Sequence, residues 1–171
     1  TFNKIVFENL TFAYTNEIVL RDNNFEINQG NITAVTGRSG SGKSTLFKLL
    51  LGLFPATAGK ITFDNGTAVD ETTRNMFAYV PQGNMLISGT IRDNITLCDS
   101  SISDDDVIKA SKTAVIYDFI NSLPQGFDTV ISERGQGLSE GQIQRIAIAR
   151  AIVNRPKILL LLHVLCFLMH L

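Results

Sequence analysis

The sequence predicts an α/β domain with a β-rich flank, and three observations predict it. Apolar residues alternate with polar ones around Ile5 to Tyr14 and again at Phe25 and Ile27, a short apolar run then meets a glycine-rich loop and a helical pattern, and far downstream a second helical pattern leads through Pro156 to a wholly apolar run. At 171 residues and 44% hydrophobic, the chain is the size of one domain and excludes a disordered polypeptide. It can bury roughly 70% of the surface that its unfolded form exposes, enough for a core without disulfides or structural metal. Cys98 and Cys166 show no Cys-x-x-Cys or Cys/His spacing, which argues against a disulfide framework or a zinc module and makes a reducing compartment the default. A net charge of −1 supplies no electrostatic footprint for nucleic acid.

Ile5, Phe7, Phe12 and Tyr14 sit among alternating polar positions, and Phe25 and Ile27 repeat the period of two before Gly30. Ile32 to Thr36 suits a buried strand. Leu46, Leu49, Leu50 and Leu53 stand at i, i+3, i+4 and i+7, the stripe of a helix that follows the glycines. Gly59 to Phe63 and Met76 to Val80 read as further strands, and residues 87–135 as a helical segment. Within it Ser103 is placed to cap a helix over Asp104 to Ala114, whose first-turn carboxylates Asp104, Asp105 and Asp106 face the positive end of the helix dipole. A last helix is expected from Ser139 to about Asn154, then a strand over Ile158 to Leu162.

Gly37-Arg38-Ser39-Gly40-Ser41-Gly42-Lys43-Ser44 fits G-x-x-x-x-G-K-[ST] between a predicted strand and a predicted helix, with Thr45 next in line. Glycines let the backbone curl until successive N–H groups point inward at phosphate oxygens, and the helix adds its positive end. Lys43 is placed to reach the β- and γ-phosphates, and the Ser44 hydroxyl to ligate Mg²⁺. This loop alone leaves kinases, GTPases and transport ATPases open.

Leu138-Ser139-Glu140-Gly141-Gln142, opening a helix that continues to Ala151, closely resembles the signature motif of ABC transporter ATPases. The usual form has Gly where this chain has Glu140. Tyr79-Val80-Pro81-Gln82 resembles the Q-loop, whose glutamine ligates Mg²⁺ and senses the transmembrane domain. Leu86 to Ile95 and Glu133-Arg134-Gly135 look like the exporter form of the family, in the region facing the coupling helices. Tyr14 occupies the place of the aromatic that stacks on adenine, although a shared strand face with Phe12 also suits a core role.

The resemblance implies a P-loop ABC ATPase core with an N-terminal β-rich subdomain and a helical subdomain. It implies ATP and Mg²⁺ as ligands, and ATP hydrolysis coupled to export. It also implies two partners: a second nucleotide-binding domain packed head to tail, each signature closing on the other's nucleotide, and the transmembrane domain of an exporter, which would hold the chain at the cytoplasmic face of the membrane.

The match spans about Lys4 to Leu161, so residues 1–161 read as a partial nucleotide-binding domain and 162–171 as an anomalous apolar tail. Where the family has an Asp for Mg²⁺ and a Glu that polarises the attacking water, Leu162 and His163 stand. Both carboxylates are therefore missing, and His163 as a replacement base would leave the metal's carboxylate still unsupplied. Ile158 to Leu171 is apolar except for His163 and His170, too short to span a bilayer as a helix, and on the sequence alone has no element left to pack against. A reading-frame change or fragment junction near Leu162 is one account of it, and a degenerate, non-catalytic nucleotide-binding module another. A chromosome-maintenance ATPase of the same superfamily would call for a coiled-coil insertion and basic surfaces, and no heptad run or basic excess appears; a small-molecule kinase would share the P-loop but would not explain Leu138 to Gln142. On this reading the chain as written turns ATP over weakly or not at all.

Overall fold

Side-chain alternation needs correction at bulges, and the first strand shows how. β1 (Lys4–Tyr14) buries Ile5, Phe7, Leu10 and Phe12, and the step of three between Phe7 and Leu10 coincides with a register shift at Asn9, whose φ of 48° lies in the left-handed region. β2 (Glu17–Asn28) pairs antiparallel with β1, and after β3 (Ile32–Val35) and α1 (Lys43–Leu50) the strand β4 (Ala58–Phe63) joins the other edge, giving the order β2-β1-β4. A computed structural model provides this architecture for residues 2–83, 86–132, 135 and 137–162, and for the backbone of 166–170.

The helical stripe is shorter than its spacing suggests. Leu46, Leu49 and Leu50 are buried, but α1 stops at Leu50, and Leu53, expected on the stripe, is 50% exposed. The reason is Gly52, at φ 61°, where a Cβ would stand 2.4 Å from the backbone of Asp70 and Glu71; the chain turns away there and Phe47 completes the buried face instead. β5 (Phe77–Val80) follows a short 3₁₀ turn over Glu71–Met76, which Asp70 and Thr73 cap reciprocally.

The chain forms two units, Thr1–Tyr79 with Lys157–Leu171, and Val80–Pro156. The second contains β6 (Gly89–Thr90), α2 (Ile91–Thr96), α3 (Asp104–Thr113), α4 (Tyr117–Ser122), β7 (Val130–Ile131) and α5 (Glu140–Ile152). β6 and β7 pair as a two-stranded ribbon. Ile91, Ile95, Val107, Ile116, Ile120 and Ile146 are fully buried in its own core. Asn94 shares that core: its Oδ1 accepts from Ile87 N–H and from Arg150 Nη2, both at 2.8 Å, and its Nδ2 donates to the Ile87 and Thr90 carbonyls. Burial holds the Arg150 guanidinium below its ordinary pKa.

Two strands return to the first unit, β8 (Ile158–Leu162) and β9 (Cys166–His170), and complete a four-stranded sheet in the order β3-β9-β8-β5. Two expectations change here. Ile32 to Thr36 is not a buried strand: it ends at Val35 and Ile32 is 65% exposed, because β3 is an edge strand. The apolar tail does have an element to pack against, since β9 is hydrogen-bonded between β3 and β8, antiparallel to both.

Candidate functional site

The glycine-rich loop joins the C-terminal end of β3 to the start of α1, where Gly42 takes the N-cap position at φ 88°. A Cβ there would meet Leu20 Cδ2 at 2.9 Å and Val19 Cγ1 at 3.0 Å, so space as well as φ restricts the position to glycine. No side chain caps α1 and no acidic residue lies in its first turn. The N-terminal N–H groups are left without side-chain acceptors, which is the arrangement that receives an anion.

Lys43 supplies the cation. Its Nζ folds over the loop and donates to the carbonyls of Gly37 and Arg38, each at 2.8 Å, with Ser41 Oγ at 3.5 Å. The ammonium thereby tethers both ends of the loop's first turn, in which Ser41 N–H donates to the Arg38 carbonyl. Arg38, Ser39, Gly40, Ser41 and Ser44 are exposed, Lys43 is half-buried, and Gly42 and Thr45 are buried. A cleft of about 380 Å³ opens beside Ser41–Lys43, with Leu20, Phe25 and Leu46 among its walls.

Tyr14 lies in the same unit, 37% exposed and surrounded by two aromatic neighbours: Phe12, edge to face at 4.8 Å, and Phe54, at 5.6 Å. Lys48 Nζ stands 6.0 Å from both the Tyr14 and Phe54 ring centroids. Tyr14 thus packs on Phe12 while leaving part of its ring open, and both sequence readings of it remain physically compatible. Sequence reasoning missed Phe54 and Lys48, because their meeting with Tyr14 depends on where α1 ends.

In the second unit, Ser139 caps α5. Its Oγ accepts from Gln142 N–H at 3.3 Å and Gln142 Oε1 accepts from Ser139 N–H at 2.8 Å, a reciprocal box with Glu140 in the first turn. Leu138 and Gln142 are half-buried, while Ser139, Glu140 and Gly141 are exposed. Capping uses one acceptor position of the hydroxyl and leaves its proton available for donation. Gln82 is exposed, in the bend after β5. Asn94 and Arg150 escaped sequence reasoning, although a polar residue set among Ile91 and Ile95 at helical spacing was the available signal.

The backbone register shows which residues are level with the start of the loop. Val35 is opposite Cys166, and Cys166 opposite Leu162, so Leu162 is level with the end of the strand that enters the phosphate loop. His163, Glu133 and Arg134 lie outside the described residues. For phosphate the donor set fits: bare helical N–H groups and one lysine. For Mg²⁺ it offers the Ser44 hydroxyl in this unit, and the residue level with Val35 on β8 is Leu162, which has no oxygen ligand to offer. Among the described residues no group of three or more His, Cys, Asp or Glu could hold a metal ion, and no helix is long and apolar enough to cross a membrane.

The ABC transporter family model matches residues 20–161. The chain belongs to the ABC transporter family. This ABC transporter domain is 44% identical over 164 residues to the Toxin RTX-III translocation ATP-binding protein of Actinobacillus pleuropneumoniae, covering 93% of this chain and 23% of that relative. It is 44% identical over 161 residues to the leukotoxin translocation ATP-binding protein LktB of Mannheimia haemolytica, covering 91% and 23%. Among solved structures it resembles a bacterial Atm1-family ABC exporter with ATP bound, at a TM-score of 0.84 and 38% identity, over 94% of this chain and 29% of that one. The fold is therefore the α/β P-loop fold of an ABC exporter's ATPase domain. The chain spans about a quarter of the length of the curated relatives it matches. The family match ends at Leu161, one residue before the position level with Val35.

Proposed function

We propose that the chain is the ATP-binding domain of an exporter, taking Mg·ATP at Gly37–Thr45 and working at the cytoplasmic face of a membrane against a transmembrane domain. The observation that carries this reading is the uncapped start of α1 with Lys43 folded over the loop. Phosphoryl transfer depends mainly on positioning and charge, and those are what the loop supplies: Lys43 neutralises the phosphates, the α1 N–H groups orient them, and Ser44 offers an oxygen to the metal. Bound Mg²⁺ would neutralise charge on the phosphates. Tyr14 presents a ring to the base, and Gln82 a further metal ligand. Ser139, with Leu138, Glu140, Gly141 and Gln142, serves the nucleotide of a second domain packed head to tail. The relatives' names suggest a toxin as the cargo of such a transporter.

Binding and turnover separate in this chain. Leu162 has neither a charge for the metal nor a lone pair for water, so we expect Mg·ATP to bind and to be hydrolysed hardly at all. A second reading, a non-catalytic module that uses nucleotide binding for regulation, is favoured by the same leucine. Titration of the full chain with Mg·ATP, followed by phosphate-release assay beside Lys43→Ala, tests both. Lys43-dependent binding without turnover is expected; equal binding by Lys43→Ala would overturn the loop assignment, and Lys43-dependent phosphate release would overturn the inactivity.

A further inference from the structure

β3 carries the phosphate loop, and among the described residues the strand hydrogen-bonded to it is β9. Ile32, Thr33, Ala34 and Val35 lie opposite Met169, Leu168, Phe167 and Cys166, and on its other side β9 places Leu159, Leu160, Leu161 and Leu162 opposite that same run. Two antiparallel pairings in succession make β3 and β8 parallel to each other. With β9 removed they would stand two strand spacings apart, about 9.5 Å, too far for any backbone hydrogen bond between them.

We propose that Cys166–His170 is a positioning strand of the nucleotide site: it ties the strand that enters the phosphate loop into the sheet, so that ATP affinity depends on it. The inference rests on the ATP-binding reading. The local chain supports it. β3 is four residues long, an edge strand with Ile32 largely in solvent, and so has little else to hold its backbone straight. The loop begins two residues past Val35, and Lys43 grips carbonyls at Gly37 and Arg38, at that same end. Loss of the β3 ladder would free the segment whose carbonyls position the ammonium. The apolar tail thus has a task in the sheet, filling the space between two parallel strands with an antiparallel one.

Leu168 is central in β9, between Thr33 and Leu160. Proline there removes an N–H from a strand paired on both sides. Three full-length proteins are compared: parent, Leu168→Pro, and Leu168→Ile as the conservative control. Mg·ATP affinity and amide hydrogen exchange are measured on each. Leu168→Pro should weaken ATP by about tenfold or more, with Ile32–Val35 amides deprotected and those of the second unit, such as Ile120 and Ile146, unchanged; Leu168→Ile should bind as the parent does. Equal ATP affinity in Leu168→Pro would overturn the proposal, as would loss of protection throughout the second unit, which would mark a general fold defect. The pairing itself is read without nucleotide. Val35→Cys in a Cys98→Ser background places a thiol opposite Cys166, within the Cα separation a disulfide needs, whereas Ala34→Cys is one residue out of register. Oxidation should cross-link the first and spare the second; the reverse, or no cross-link, overturns β9 as the partner of β3. A parent that fails to bind ATP while cross-linking at Val35→Cys would sink the ATP reading and with it the functional half of the proposal.

Discussion

Two helix starts in this chain obey opposite rules. α5 begins with Ser139 and Gln142 capping each other and Glu140 in its first turn; α2 and α3 likewise begin with Thr90 and Ser103 as caps and with acidic first turns. α4 has no side-chain cap but keeps Asp118 in its first turn, whereas α1 begins on Gly42 with neither a side-chain cap nor an acid, beside a lysine. Capping a helix start is worth about 1 kcal/mol, so a start left bare forgoes stability that three others in the same chain take. The difference leaves the start of α1 open to acceptors from outside, which the proposed nucleotide would supply. The start of α5 can still offer the Ser139 proton, but Glu140 makes it a poorer seat for an anion when alone.

The largest expected effect breaks the comparison at α1. Lys43→Ala removes a charged hydrogen-bonding group from the bare start and should cost about 1.5 to 3 kcal/mol of Mg·ATP binding, roughly ten- to 150-fold, in an equilibrium titration. Tyr14→Ala should weaken ATP by about 1 to 3 kcal/mol, by analogy with base stacking on aromatics, and inorganic triphosphate hardly at all. Equal losses for both ligands would return Tyr14 to the Phe12–Phe54 cluster as packing alone. Ser139→Ala should lower unfolding stability of the second unit by about 1 kcal/mol, seen as hydrogen exchange in α5, and leave ATP affinity at the loop unchanged.

The smallest effect separates the helix starts by pH. The Thr90 side chain and N–H hold the Asp93 carboxyl below the usual Asp range, and Ser103, then Arg155, do the same for Asp106. A depressed folded pKa contributes stability that is present above the ordinary carboxylate range and is lost as pH falls through the folded value. Acid titration followed by amide exchange should therefore loosen the first turns of α2 and α3 below about pH 4, with no matching step in α1.

Local patterns were legible in the sequence and long-range pairings were not. The strand carrying Ile5, Phe7 and Phe12, the Ser103 cap and the strand at Ile158–Leu162 all follow from neighbours close in sequence, and the structure has each of them. The place of the glycine-rich loop, between a strand and a helix, was legible because glycines between an apolar run and a leucine stripe mark that junction. Leu53 failed because helix spacing does not register the backbone of Asp70 pressing on Gly52. Ile32 failed because burial of a strand depends on its place in the sheet. β9 was invisible for the same reason: an apolar run states that it will be covered, not that it will turn back between two strands.

The most direct test compares the two helix starts in one experiment, by residue-resolved amide exchange on the full chain, dilute enough to stay monomeric, with and without Mg·ATP. New protection is expected over Gly40–Thr45 and none over Gly141–Ile143. Protection at the start of α5 without protection at the start of α1 would contradict it.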